Sequence, residues 1–135
     1  MAFSYCIKYI HLDDCQLGSQ GAMGIADATN RNKNIRVISL RNNGIDDDGA
    51  KAFGELIFKY SSINLEELNL SFNRIGDLGG TKLAQGLSKS KSLKKLNMKH
   101  NNMSAKAGKE FIIALEENKI ISFLCLDDNF PERKP

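Results

Sequence analysis

Cys6, His11, Asp13, Asp14 and Cys15 crowd the start of this chain and are side chains of the types that hold zinc. GIDDDGAKAFGE, residues 44–55, has clustered aspartates, Gly49 in its sixth place and Glu55 in its twelfth, as a calcium loop does. GDLGGTK, residues 76–82, combines glycines with a lysine, the materials of a phosphate cradle. His11 and His100 are the candidate general bases. None of these closes into a site by spacing alone. Calcium needs an oxygen-bearing side chain where the loop begins with Gly44, and the residue order of GDLGGTK is not that of a phosphate loop. What these residues do depends on the elements that carry them.

The chain repeats itself. IKYIHLDDCQL (7–17), IRVISLRNNGI (35–45), LEELNLSFNRI (65–75), LKKLNMKHNNM (93–103) and ISFLCLDDNFP (121–131) are one phrase written five times, at intervals of 28, 30, 28 and 28 residues. The phrase follows L-x-x-L-x-L-x-x-N/C-x-L, the strand-and-turn half of a leucine-rich repeat, with Pro131 breaking the last copy. With this period it resembles the ribonuclease-inhibitor-like subfamily, in which a full helix follows each strand.

The second half of each unit reads as that helix. Ile25, Phe53, Leu83 and Phe111 share one column, Ala26, Gly54, Ala84 and Ile112 the next, and Thr29, Ile57, Leu87 and Leu115 a third, spaced as one helical face. Ala22, Ala50, Gly80 and Gly108 recur where a helix must approach the strand layer, and Asp47 and Asp77 stand where N-caps are expected. The two extra residues of the second unit fall in FKYSSIN (58–64), a helix-to-strand loop. No unit can bury both its helix face and its strand leucines alone, so the units must stack. The resemblance implies a right-handed α/β solenoid, a short horseshoe with parallel strands on the concave face and helices on the convex face. Residues 1–135 then form one domain, with its last repeat incomplete.

Within that frame the candidate sites come apart. Cys15 is expected to point into the turn layer and His11 out of the sheet, so they do not converge on a metal. His11 and His100 sit three strands apart, roughly 14 Å, too far to share a substrate atom. Cys15, Asn43, Asn73, Asn101 and Asn129 form the ninth column, at the turn where backbone groups leave the ladder and need other partners. Asn73 is therefore read as structural. No catalytic group, metal or cofactor is expected.

Composition adds limits. A chain of 135 residues, 41% apolar and 26% charged, has ordinary globular makeup and a net charge of only +3. The start lacks the pattern of a secretion signal, and no apolar run reaches membrane-spanning length, so no membrane association is expected. Three cysteines, with Cys15 and Cys125 roughly 19 Å apart by strand spacing, suit free thiols and a cytoplasmic setting, or a host cytoplasm for a delivered effector.

The columns facing out of the sheet are free of scaffold duty. They read Tyr9, Val37, Glu67, Lys95, Phe123; His11, Ser39, Asn69, Asn97, Cys125; and Asp13, Arg41, Ser71, Lys99, Asp127, flanked by Asp14, Asn42, Phe72, His100 and Asp128. Exposed aromatics and arginine are the usual anchors of interfaces, and mixed charge suits a folded protein partner better than a polyanion. Tyr9, His11, Arg41, Asn69, Phe72, Lys95, Asn97, Lys99 and Phe123 are thus the expected partner-binding residues of a non-enzymatic module. The resemblance also implies adaptor or bacterial-effector roles, including action on a host signalling protein or a small GTPase, as Ran GTPase-activating proteins act. Those proteins are longer and carry an acidic tail that this chain lacks. Between residues 78 and 109 eight lysines occur with no acidic residue and no Phe, Tyr or Trp, which reads first as a solvated face and last as a nucleic-acid site. The last strand leaves an edge open to pairing with a second copy, with Asp127 and Asp128 setting like charges near the junction.

Overall fold

The chain runs β1 (Tyr9–His11), α1 (Gly18–Arg31), β2 (Val37–Ser39), α2 (Asp47–Lys59), β3 (Glu67–Asn69), α3 (Asp77–Lys89), β4 (Lys95–Asn97), α4 (Ala105–Glu117), β5 (Phe123–Cys125). This is a computed structural model, and it describes residues 7–60 and 62–129. Cys6 and Pro131, which figured in the sequence reading, lie outside that range.

The strands form one parallel sheet in chain order. Tyr9 pairs with Val37, Val37 with Glu67, Glu67 with Lys95 and Lys95 with Phe123, which is the third column of the repeat alignment. The pairing follows from burial. Ile38, Leu68 and Leu96 in the fourth column and Leu40, Leu70 and Met98 in the sixth are buried, and a slip of one residue would turn every one outward. Phe53, Leu83 and Phe111 close the core from the helices. The loop after α2 spans 60–66, against 32–36, 90–94 and 118–122 elsewhere, so the two-residue insertion sits where the repeat tolerates it.

Helix starts show how the repeats are tied. Asp46 caps α2 through Asp48 N–H at 3.0 Å, and Ser104 caps α4 through Lys106 N–H. Asp47 and Asp77 were expected to cap their own helices; instead each occupies the first helical position and reaches the helix of the following repeat. Asp47 Oδ1 accepts from Gly76 N–H at 2.7 Å and Gly79 N–H at 3.0 Å. Asp77 accepts from Ser104 N–H at 2.8 Å, its hydroxyl at 2.6 Å and Ala107 N–H at 3.2 Å. The Ser104 hydroxyl, foremost, with the Ser104 and Ala107 amides and Lys106, holds the Asp77 carboxyl below its ordinary value, against the opposing effect of burial. Ser19, in the same column, accepts from Asp46 N–H and Gly49 N–H. At α3 the reach supplies what is missing, since Gly76 at its N-cap has no side chain to offer the free amides; at α2 and α4 it adds to the caps of Asp46 and Ser104.

The ninth-column asparagines tie the same units from the strand side. Asn73 Oδ1 accepts from Asn43 N–H at 2.9 Å and Ile45 N–H at 3.0 Å, while its Nδ2 donates to the carbonyls of Leu40 and Leu70, both at 3.0 Å, and Ser71 at 3.1 Å. Asn43 serves Cys15 and Leu17 N–H, and Asn129 serves Asn101 and Met103 N–H. Cys15 itself stays exposed, its thiol against the Asp13 carbonyl, because among the described residues no strand precedes β1 for this column to reach. Asn73→Ala is expected to cost about 2–3 kcal/mol, the upper range for buried groups left without partners, when measured by urea unfolding. A loss below about 0.5 kcal/mol would show that water replaces the side chain without penalty.

Candidate functional site

The concave sheet carries the expected residues in sequence order across its width. Tyr9 is 62% exposed on β1 and Phe123 47% exposed on β5, with Lys95 exposed and Val37 and Glu67 half-buried between them. His11, Val37, Glu67, Lys95, Asn97 and Phe123 bound an open hollow of about 220 Å³ with Asn69 in its floor. Ser39 and Ser71, expected in the exposed columns, are buried instead. Ser39 Oγ donates to Asp13 Oδ1 at 2.6 Å, and the same oxygen accepts from Arg41 N–H at 2.9 Å, so this column closes over its neighbour.

Arg41, Phe72 and Lys99 lie beside this floor, on the ledge where strands hand over to turns. The eighth-column residues there, Asp14, Asn42, Phe72, His100 and Asp128, all have positive φ, between 54° and 60°. The N–H groups of Asp14, Asn42, Phe72 and His100 stay on the ladder, as Phe72 N–H to the Lys99 carbonyl at 2.8 Å shows, while the chain swings away. Asp, Asn and His tolerate this left-handed conformation; a bulky aromatic does so at a cost. Phe72 is the exception in its column. Its ring stacks on His100 with centroids 4.6 Å apart and planes 15° apart, and the Arg41 guanidinium lies 4.4 Å from its centroid on a third repeat. The stack brings Arg41 and Phe72 together and adds His100, which the sequence reading did not select. The signal for it was one phenylalanine in a column otherwise of Asp, Asn and His.

Charges near the ledge are partly compensated. Lys99 Nζ lies 3.9 Å from Asp128, and Asn42 Nδ2 donates to Asp14 at 2.6 Å. The lysine run does not form one patch. Lys82 and Lys89 ride on α3, Lys94 and Lys95 enter β4, and Lys106 and Lys109 belong to α4. Lys94 pairs with Glu66 at 3.8 Å and Lys89 with Glu117 at 4.0 Å, so acids from outside the run neutralise part of it. On the outer face a groove of about 300 Å³ runs between α2 and α3, beside the close approach that Gly54 permits. A Cβ at Gly54 would stand 2.5 Å from the Lys82 carbonyl oxygen, so this groove is a product of helix packing. Among the described residues no group of three or more His, Cys, Asp or Glu could hold a metal ion, and no helix is long and apolar enough to cross a membrane.

Fold and site together define an α/β repeat solenoid whose open face is a sheet. Leucine-rich-repeat models match residues 6–26, 31–54 and 63–107, and the chain belongs to the leucine-rich-repeat proteins. Leucine-rich repeat-containing protein 45 of Gallus gallus is 27% identical over 109 residues, covering 79% of this chain and 16% of that protein. NACHT, LRR and PYD domains-containing protein 14 of Homo sapiens is 28% identical over 97 residues, covering 72% and 9%. The chain therefore spans a small part of the curated relatives it matches. Among solved structures, the leiomodin-1 actin-binding site 2 superposes with a TM-score of 0.77 at 19% identity, covering 88% of this chain and 69% of that one. The tropomodulin C-terminal domain of Caenorhabditis elegans gives 0.78 at 19% identity, covering 90% and 74%. These likenesses show the fold.

The energetics of Phe72 separate a scaffold role from a surface role. Left-handed backbone costs about 1–2 kcal/mol, and one aromatic stack with one exposed cation–π contact returns a similar amount. Phe72→Asn is accordingly expected to change unfolding free energy by no more than about 1 kcal/mol, read from urea midpoints. A loss above about 2 kcal/mol would make Phe72 part of the scaffold.

Proposed function

We propose that the chain is a non-enzymatic module that holds a protein partner across the concave sheet and its ledge. The observation that carries this is the Arg41–Phe72–His100 stack, an aromatic kept in a costly conformation where the repeat asks only for a small polar residue. Aromatic rings held rigid beside an arginine are what interface anchors are made of, and Tyr9 and Phe123 offer further rings at either side of the sheet. Leucine-rich-repeat domains generally mediate protein–protein interaction, which supports the same reading. Free Cys15 and Cys125 suit a reducing, cytoplasmic setting. Capture from lysate by the wild-type chain should enrich a partner that the Arg41→Ala, Phe72→Asn, Lys99→Ala variant no longer enriches. Actin serves as a defined probe, since the leiomodin-1 structure is described as an actin-binding site. Equal enrichment by wild type and variant would move the site off the ledge.

A second reading, self-association, has its own observation. Ile112 is 60% and Leu115 41% exposed on α4, although their columns are buried in α3, and β5 has a free edge among the described residues. A second copy paired antiparallel at β5 would join both sheets and set α4 against its mate. Asp127 and Asp128 set like charges near that junction and oppose it. On this reading light scattering should give about twice the 15.0 kDa chain mass, falling to the chain mass for Ile112→Asp. A wild-type monomer at micromolar concentration defeats the dimer.

A further inference from the structure

We propose that the centre of the sheet contains a subsite for a carboxylate side chain of the bound partner, built from the Nδ2 groups of Asn69 and Asn97 and the ammonium of Lys95. The proposal rests on the protein-binding reading and names the chemistry that one part of that surface selects.

Two backbone amides decide how the asparagines face. Asn69 Oδ1 accepts from Ser71 N–H at 2.9 Å and Asn97 Oδ1 accepts from Lys99 N–H at 3.0 Å. An amide N–H can be served only by the oxygen end, so each side chain is locked with its NH2 group turned away from its own turn. Among the described residues neither Nδ2 has an acceptor, and no buried side-chain nitrogen or oxygen is left without a partner, so both donors are open to solvent. Asn69 and Asn97 are register partners on β3 and β4, which sets their donors about one strand spacing, roughly 4.8 Å, apart. The donors are oriented before anything binds.

Lys95 supplies the charge. It lies two residues before Asn97 and therefore on the same face, it is exposed, and it makes no ion pair among the described residues, whereas Lys94 and Lys99 do. Glu67, its register partner, is the competing carboxylate on this part of the face, and Asp13 is committed to Ser39 and the Arg41 amide. Side-chain amide donors alone would accept any carbonyl; the ammonium makes a carboxylate the preferred occupant. Phe123, on the next strand and exposed, adds an apolar wall beside the donors. The fitting segment is one that carries Asp or Glu next to an apolar residue.

The test is a titration of the nitrogen-15-labelled chain with the capped peptide acetyl-Gly-Glu-Phe-Glu-Gly-amide and its counterpart with Gln for Glu. The Glu peptide should shift the side-chain NH2 signals of Asn69 and Asn97 with an affinity about tenfold above that of the Gln peptide. Asn97→Asp keeps an oxygen for the Lys99 amide while removing the donor and adding a negative charge, so it should abolish the preference at an unchanged melting temperature. Lys95→Met should reduce it. Equal response to both peptides, no response to either, or an undiminished response in Asn97→Asp overturns the subsite. Shifts confined to Arg41, Phe72 and His100 would also overturn it while leaving protein binding at the ledge intact, so the two readings fail separately.

Discussion

Each time this chain leaves a strand it turns left-handed, and its amides run out of ladder carbonyls. The asparagine of the following repeat supplies what is missing. Asn73 Oδ1 serves Asn43 and Ile45 N–H, and Asn129 Oδ1 serves Asn101 and Met103 N–H, so the polar groups of one turn are satisfied only when the next unit is in place. Helix starts are tied in the other direction, since Asp47 and Asp77 reach forward to the amides of α3 and α4. Where two units both carry helices, their interface is thus held by apolar contact between two polar rungs of opposite sense. Stability of this kind belongs to neighbouring pairs, as expected of a linear array.

That constraint also shapes the surface. A left-handed residue is required at the head of every turn, and Asp14, Asn42, His100 and Asp128 meet the requirement with side chains suited to it. Phe72 meets it at a cost offset by its contacts with Arg41 and His100. Because the eighth column advances about one strand spacing per repeat, planar groups there are brought near stacking distance by the ladder itself. The scaffold dictates the spacing of the ledge; the proposed interaction rests on the residues placed on it.

Legibility follows from which features are periodic. Ile38, Leu68 and Leu96 could be aligned by eye, and with them came strand register, the two-residue insertion after α2 and the parallel sheet. The ninth-column asparagines were legible as structural because backbone chemistry demands an acceptor and a donor at that turn. The targets of Asp47 and Asp77 were not, because a column records position along one repeat and says nothing of reach into the next. Ser39 and Ser71 look exposed by alternation yet are buried, Ser39 beneath a hydrogen bond to Asp13. Phe72 stood out as a ring the core did not need, whereas its partnership with His100 depends on the sign of φ, which no alternation pattern encodes.

The acidic ends of the sheet and its basic middle then acquire different meanings. Asp13 is held by Ser39 and the Arg41 amide, Asp14 by Asn42, and Asp128 lies by Lys99, so these carboxylates are occupied in shaping the scaffold. The guanidinium of Arg41 lies over Phe72 without an ion pair among the described residues, and Lys95 likewise has none. On the proposed reading, a partner meets Arg41, Lys95 and open amide donors in the middle, beside the half-buried Glu67, while Asp13, Asp14 and Asp128 at the margins are already engaged. If a protein binds here as proposed, that contrast would orient it, with its acidic groups toward the centre and its apolar groups toward Tyr9 and Phe123 at either edge.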